Sequence, residues 1–237
     1  MDKRHYPGEK KMMEKRWKYI GLGIAGAIIV IGILVLIRGV WPPGTYEEHV
    51  LKGRKFFSEG KWDPAIKEFE VAAMIKPKGY DARFGLGVTY LKQRKLKQGI
   101  DELLKAIEVN PNAVPAYYSL GVAYHREGNL ERAVDAYKEV LKIQPKSFQV
   151  YNNIGGIYVS KGDYKMAIEF FRQALKIKPD YHSVYLNIGK AYESQGNPSL
   201  AAKEYRKILT MASTGSVHEK IVIEAERRLA LLETKKK

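Results

Sequence analysis

The chain has 237 residues, is 45% hydrophobic, and carries 41 Lys and Arg against 26 Asp and Glu, a formal charge of +15. With no cysteine, disulfides, thiolate zinc sites, iron–sulfur clusters and cysteine nucleophiles are excluded. Charged residues at 28% beside that apolar content are ordinary globular composition rather than that of a disordered chain.

Residues 1–18 form a basic tail, with seven Lys or Arg and three acids. From Tyr19 to Ile37 nineteen residues carry no charge, bounded by Lys18 and Arg38. At 1.5 Å per residue they span about 28 Å, close to the roughly 30 Å of bilayer hydrocarbon. Trp17, Tyr19 and Trp41 mark the two ends, where amphipathic rings favour the interface, and Pro42-Pro43-Gly44 stops the helix. This predicts a transmembrane anchor in the lipid bilayer over residues 19–41 and a linker over 42–45. A cleaved signal peptide has a shorter apolar run and small residues at its cleavage site, which Leu36-Ile37-Arg38-Gly39-Val40-Trp41 does not offer.

Residues 39–58 hold only Lys52, Arg54 and Lys55 as basic groups. The positive-inside bias therefore predicts a single-pass protein with a cytoplasmic amino terminus and the rest of the chain on the extracytoplasmic side. The 33 basic and 23 acidic residues after residue 41 do not reverse this, because large domains translocate largely regardless of charge. Gly21-Leu22-Gly23-Ile24-Ala25-Gly26 imitates a dinucleotide-binding turn, but that turn works only between a strand and a helix. Here the glycines sit inside the apolar segment. The small pairs Gly21/Ala25 and Gly23/Ala27 suit an oligomer formed through the anchor helix.

The remainder repeats. Prolines 77, 111, 145 and 179 are each 34 residues apart and set blocks 46–79, 80–113, 114–147, 148–181 and 182–215. In this frame the eighth position reads Gly53, Gly87, Gly121, Gly155, Gly189. The eleventh reads Phe56, Tyr90, Tyr124, Tyr158, Tyr192. The twentieth reads Ala65, Gly99, Ala133, Ala167, Ala201, and the twenty-fourth Phe69, Leu103, Tyr137, Phe171, Tyr205. Each block holds two stretches with apolar residues at steps of three and four, such as Tyr117, Leu120, Tyr124 and Ala133, Tyr137, Val140. Turns such as Glu127-Gly128-Asn129 separate them, and the proline ends the second helix because the residue before it avoids helical geometry. Small residues at the eighth and twentieth positions let the paired helices approach, and neighbouring pairs share one core.

The pattern resembles the tetratricopeptide repeat over all five blocks, 170 of the 237 residues. That resemblance implies an all-α fold: a right-handed superhelical solenoid of five helix–turn–helix repeats with a carboxy-terminal capping helix. Departures from the family pattern carry expectations of their own. His49 and Lys52 suit a polar cap on the first block. Arg83, Arg94 and Gly99 stand in the second for the usual aromatic, turn glycine and alanine, which makes its helix pair the loosest. Ser213 replaces the fifth proline, so that helix ends by other means. Ser216-Val217-His218-Glu219 reads as a capping box opening a last helix to about Glu233, before the basic tail Lys235-Lys236-Lys237.

No catalytic, cofactor or metal arrangement emerges. His5, His49, His125, His182 and His218 lack partners at ligand spacing, and phosphate loops and nucleophile elbows are missing. Function then rests on recognition. In the resembled family the first helices line a concave groove, which implies contacts from Phe84, Val88, Lys92, Tyr118, Ser119, Val122, His125, Arg126, Asn152, Asn153, Asn187 and Lys190. Asparagines can bond an extended peptide backbone, and Lys92, Arg126 and Lys190 can pair with carboxylates. Against this, Asn153 and Asn187 are frequent in the repeat pattern itself, and the clamp that grips acidic chaperone tails in some family members is missing. The cluster Lys92-Gln93-Arg94-Lys95-Leu96-Lys97 lies at a turn and reads as a solvated face, and no nucleic-acid partner is expected because most aromatics belong to structural positions. The sequence thus predicts a membrane-anchored scaffold that holds a protein or peptide segment. The alternatives are a cytosol-facing receptor for targeting segments and a non-catalytic accessory subunit of a membrane enzyme.

Overall fold

A computed structural model describes residues 43–213, 215 and 217–234. These residues form eleven helices and no strand. The first ten make five pairs: α1 (Tyr46–Ser58) with α2 (Trp62–Ile75), α3 (Tyr80–Lys92) with α4 (Leu96–Val109), and α5 (Val114–Glu127) with α6 (Leu130–Ile143). Then come α7 (Phe148–Ser160) with α8 (Tyr164–Ile177) and α9 (His182–Ser194) with α10 (Pro198–Ala212), and α11 (Glu219–Thr234) closes the stack. Each second helix packs on the first helix of the next pair, and α11 packs on α10 as another first helix would.

Each helix ends where its sequence requires. α2, α4, α6 and α8 all stop two residues before a proline. The intervening Lys76, Asn110, Gln144 and Lys178 take φ between −127° and −133°, extended geometry that the following ring imposes. In α10 no proline follows, Ser213 stays helical at φ −63°, and the helix runs one residue longer. Its hydroxyl donates to the Thr210 carbonyl at 2.7 Å. Thr45 caps α1 with Glu48 in a reciprocal box, both bonds 3.2 Å.

The pairs close through missing side chains. A Cβ placed on Gly53 or Gly121 would lie 2.7 Å from the Phe69 or Tyr137 ring, and these rings are almost wholly buried. Ala65, Ala133, Ala167 and Ala201 are fully buried opposite. The second pair, expected to be the loosest, is instead joined by two glycines: a Cβ on Gly99 would lie 3.0 Å from the Gly87 carbonyl oxygen and 2.6 Å from Leu91. Backbones approach there because neither position carries a side chain, and Leu103 is fully buried beside them. Arg83 does not loosen the pair either, since its guanidinium bonds Glu102 at 2.9 Å.

His49, expected in a polar cap on the first block, is buried. It is 7% exposed, with Nδ1 2.7 Å from Glu68 Oε2 and Nε2 2.8 Å from the Pro43 carbonyl oxygen. Three expectations fall on undescribed positions: the basic tail 1–18 with the anchor 19–41, the Ser216 end of the last capping box, and the basic tail Lys235-Lys236-Lys237. His218 Nδ1 accepts the Lys220 N–H at 3.3 Å where α11 begins. Among the described residues no helix is long and apolar enough to cross a membrane. That finding overturns the single-pass localisation with extracytoplasmic repeats.

Candidate functional site

The first helices stand side by side. α1 touches α3, α3 touches α5, α7 touches α9, and α9 touches α11. Hydrogen bonds between residues 35 apart reinforce this row by joining the fifth position of one repeat to the sixth of the next. Asn153 donates to the Tyr118 hydroxyl at 3.1 Å, linking α7 to α5, and also reaches the Tyr137 hydroxyl at 3.3 Å. Asn187 donates to Asn152 Oδ1 at 3.1 Å, linking α9 to α7. Burial raises the Tyr137 hydroxyl pKa well above its ordinary value and the neighbouring Tyr118 adds to that, while Asn153 and the Arg126 charge act in the opposite sense.

The predicted groove residues therefore divide. Asn152, Asn153 and Asn187 are spent largely on fastening repeats together. Phe84 stacks on Tyr80 with rings 5.7 Å apart and leans, with Val88 and Val122, on the core. Lys190 lies 3.5 Å from Glu224 of α11 and is not a free cation. Ser119 turns its hydroxyl back to the Pro115 carbonyl at 2.8 Å. His125 is half-buried on the same helix. Tyr118 is the large aromatic left on this face, 37% exposed and edge-on to Tyr137 at 5.7 Å. Beside it lies a cleft of about 350 Å³ lined by Pro115, Tyr118, Ser119, Gln144 and Gln149. Toward the turn end of the same helices Lys92 and Arg126 meet across a cleft of about 490 Å³ whose other walls are Leu91, Arg94 and Leu96.

Reading the sequence missed two features. One is the role of Arg94, noted as a departure at a turn within a solvated basic cluster but not as a wall of this cleft. The other is the lock on α11. Glu224 bonds Arg227 and Arg228, which hold its carboxyl down to about 2, and Lys190 adds to this. Arg228 also bonds Glu193 at 3.1 Å, and Glu193 accepts from the buried Tyr205 hydroxyl. The signal for this lock was the repeat frame itself, which puts Glu224 one period beyond Lys190. Among the described residues no group of three or more His, Asp or Glu side chains is placed to hold a metal ion.

Family models described as "Tetratricopeptide repeat" match residues 87–148 and 182–214, and one described as "TPR repeat" matches residues 155–196. The chain belongs to the tetratricopeptide repeat family. Among solved structures it is similar to a "Crystal structure of MamA protein", with a TM-score of 0.68 and 26% identity over 73% of this chain and 95% of that one. A second MamA crystal structure gives 0.65 and 27% over 69% and 96%. MamA from residue 41 onward from Desulfovibrio magneticus RS-1 shares the fold at 0.67 with 14% identity, over 71% and 96%. No curated protein matches. The chain is thus a tetratricopeptide scaffold resembling MamA, a protein-interaction module.

Proposed function

We propose that the chain is a non-enzymatic scaffold that holds an extended segment of a protein partner on the face of its first helices. The interaction unit in this reading is the repeat array 46–79, 80–113, 114–147, 148–181 and 182–215, closed by residues 216–237. Phe84, Val88, Lys92, Tyr118, Val122, His125 and Arg126 form its contact surface, and Asn152, Asn153, Asn187 and Lys190 keep that surface in register. The observation that carries the reading is Tyr118, a large ring presented to solvent at the middle of the row yet fixed by Asn153. A rigid amphipathic ring costs little entropy to immobilise and commonly anchors interfaces.

An array of random peptides probed with the full chain tests this. Peptides captured by the native protein should be lost or weakened about tenfold by Tyr118→Ala, the loss expected from removing one interface anchor. Lys138→Glu, on the exposed surface of the second helix α6, should leave them bound. The reverse pattern would refute the assignment of the face.

A further inference from the structure

Four of the five turns within helix pairs carry glycine at the left-handed position: Gly60, Gly128, Gly162 and Gly196, with φ from 73° to 85°. The fifth carries Arg94 at φ 62°, the one non-glycine residue with positive φ among the described residues. A side chain is disfavoured there, and arginine lacks the short polar group by which asparagine or aspartate tolerates it. The turn itself is the ordinary one, with Lys95 N–H bonded to the Tyr90 carbonyl at 2.9 Å as Asn129 N–H is to Tyr124. Local structure gives no reason for arginine. Its side chain does: it lines the cleft shared with Lys92 and Arg126.

Among the described residues none of these three cations makes an ion pair, whereas Arg83, Lys161, Lys190 and Arg228 all do. Two acids of the flanking repeats are engaged elsewhere: Asp63 accepts from Gln93 at 2.7 Å, and Glu131 is taken by Lys161. Leu91 and Leu96 supply an apolar wall, which strengthens any charge pairing inside the cleft. We propose that Lys92, Arg94 and Arg126 form a binding site for adjacent carboxylates on an acidic, extended segment of a partner polypeptide. This rests on the peptide-binding reading above and specifies its ligand.

The occupant is not the chain itself. Its tails are basic, with seven Lys or Arg in residues 1–18 and three lysines at the end, and the whole carries +15, so a second copy is repelled. Nucleic acid fits less well because the residues lining the cleft, Leu91, Lys92, Arg94, Leu96 and Arg126, include no aromatic ring on which a base could stack.

The test uses the full chain and a fluorescein-labelled peptide of about twelve residues with two adjacent glutamates in a serine–alanine background, against its glutamine twin. The glutamate peptide should bind about tenfold tighter, a preference that shrinks as salt rises. Arg94→Gly should abolish the preference while the thermal midpoint holds or rises, since glycine suits that φ. Arg126→Gln should also reduce it, and Lys190→Gln, whose ammonium is held by Glu224, should not. Equal binding of the twins, or an Arg94→Gly protein with undiminished preference, overturns the site. So does tighter, Arg94-dependent binding of a phosphoserine peptide, oligothymidylate or anionic vesicles. If the twins bind alike while array peptides still depend on Tyr118, the carboxylate site fails and the peptide-binding reading stands. Array binding indifferent to Tyr118 refutes that reading instead.

Discussion

Two adjacent glycines on α7 should respond oppositely to the same methyl group. A Cβ on Gly155 would sit 2.5 Å from the Phe171 ring and 3.1 Å from the Ala167 carbonyl oxygen, whereas one on Gly156 meets nothing within 4 Å. Carbon atoms in contact prefer about 3.5–4.0 Å, so Gly155→Ala must open the α7–α8 spacing by about 1 Å. Phe171 is 1% exposed between fully buried Ala167 and Ala174, and its ring has no room to swing away. Overpacking of this kind costs about 1–3 kcal/mol, and the backbone contact places Gly155 in the upper part of that range. Against it, replacing a helical glycine by alanine gains about 0.5–1 kcal/mol, the whole effect expected for Gly156→Ala. Gly155→Ala should therefore lose about 1–2 kcal/mol net, and Gly156→Ala should gain up to about 1. Urea unfolding followed by far-ultraviolet circular dichroism reads both as midpoint shifts of opposite sign. Equal shifts in one direction would refute the argument that the ring against Gly155 sets the helix spacing.

At the amino-terminal end, His49→Ala removes contacts to Glu68 and the Pro43 carbonyl from a nearly closed site, and should cost about 1–3 kcal/mol in the same assay. An unchanged midpoint would show that those contacts hold nothing. At the other end, Glu224 has a carboxyl lowered from an ordinary 4.5 to about 2, first by its bond from Arg227 and then by Arg228. A depressed carboxyl stabilises the fold above its unfolded pKa and is lost as pH falls through the folded one. Amide exchange of Glu219–Thr234 should accelerate between about pH 4.5 and 2 beyond its intrinsic rate, and Glu224→Gln should flatten that dependence. A variant with the native profile would place the acid-sensitive group elsewhere.

The hairpin pattern was readable because its cause is short-range. Prolines 77, 111, 145 and 179 stop helices through the residue directly before each, and glycine opposite a ring leaves a regular trace at the eighth and twenty-fourth positions. Substitutions in the second repeat were misread for a physical reason. Gly99 looked like a weakened alanine, yet facing Gly87 it permits closer contact, and only the pairing of the two positions shows that. His49 was read as part of a polar cap, and the partner that lets it be buried, Glu68, lies nineteen residues on in another helix. The residues read as groove-lining lie on the first helices α3, α5, α7 and α9, while their side-chain partners were not legible. Asn153 and Asn187 bond across a whole period, and Lys190 answers a residue in a helix outside the repeat pattern. Localisation was drawn from a segment the structure does not describe, and no helix among the described residues supports it.

The lock between α9 and α11 also bears on how such arrays lengthen or shorten. A sixth hairpin joined after α10 would have to displace α11 and strip Glu193 and Lys190 of Arg228 and Glu224. Hairpins gained or lost in the interior disturb bonds such as Asn153 to Tyr118 and Asn187 to Asn152, between the fifth and sixth positions that every copy of the unit carries. Copy-number variation in this architecture should then fall between the ends, leaving the final hairpin and its terminal helix inherited as one indivisible block.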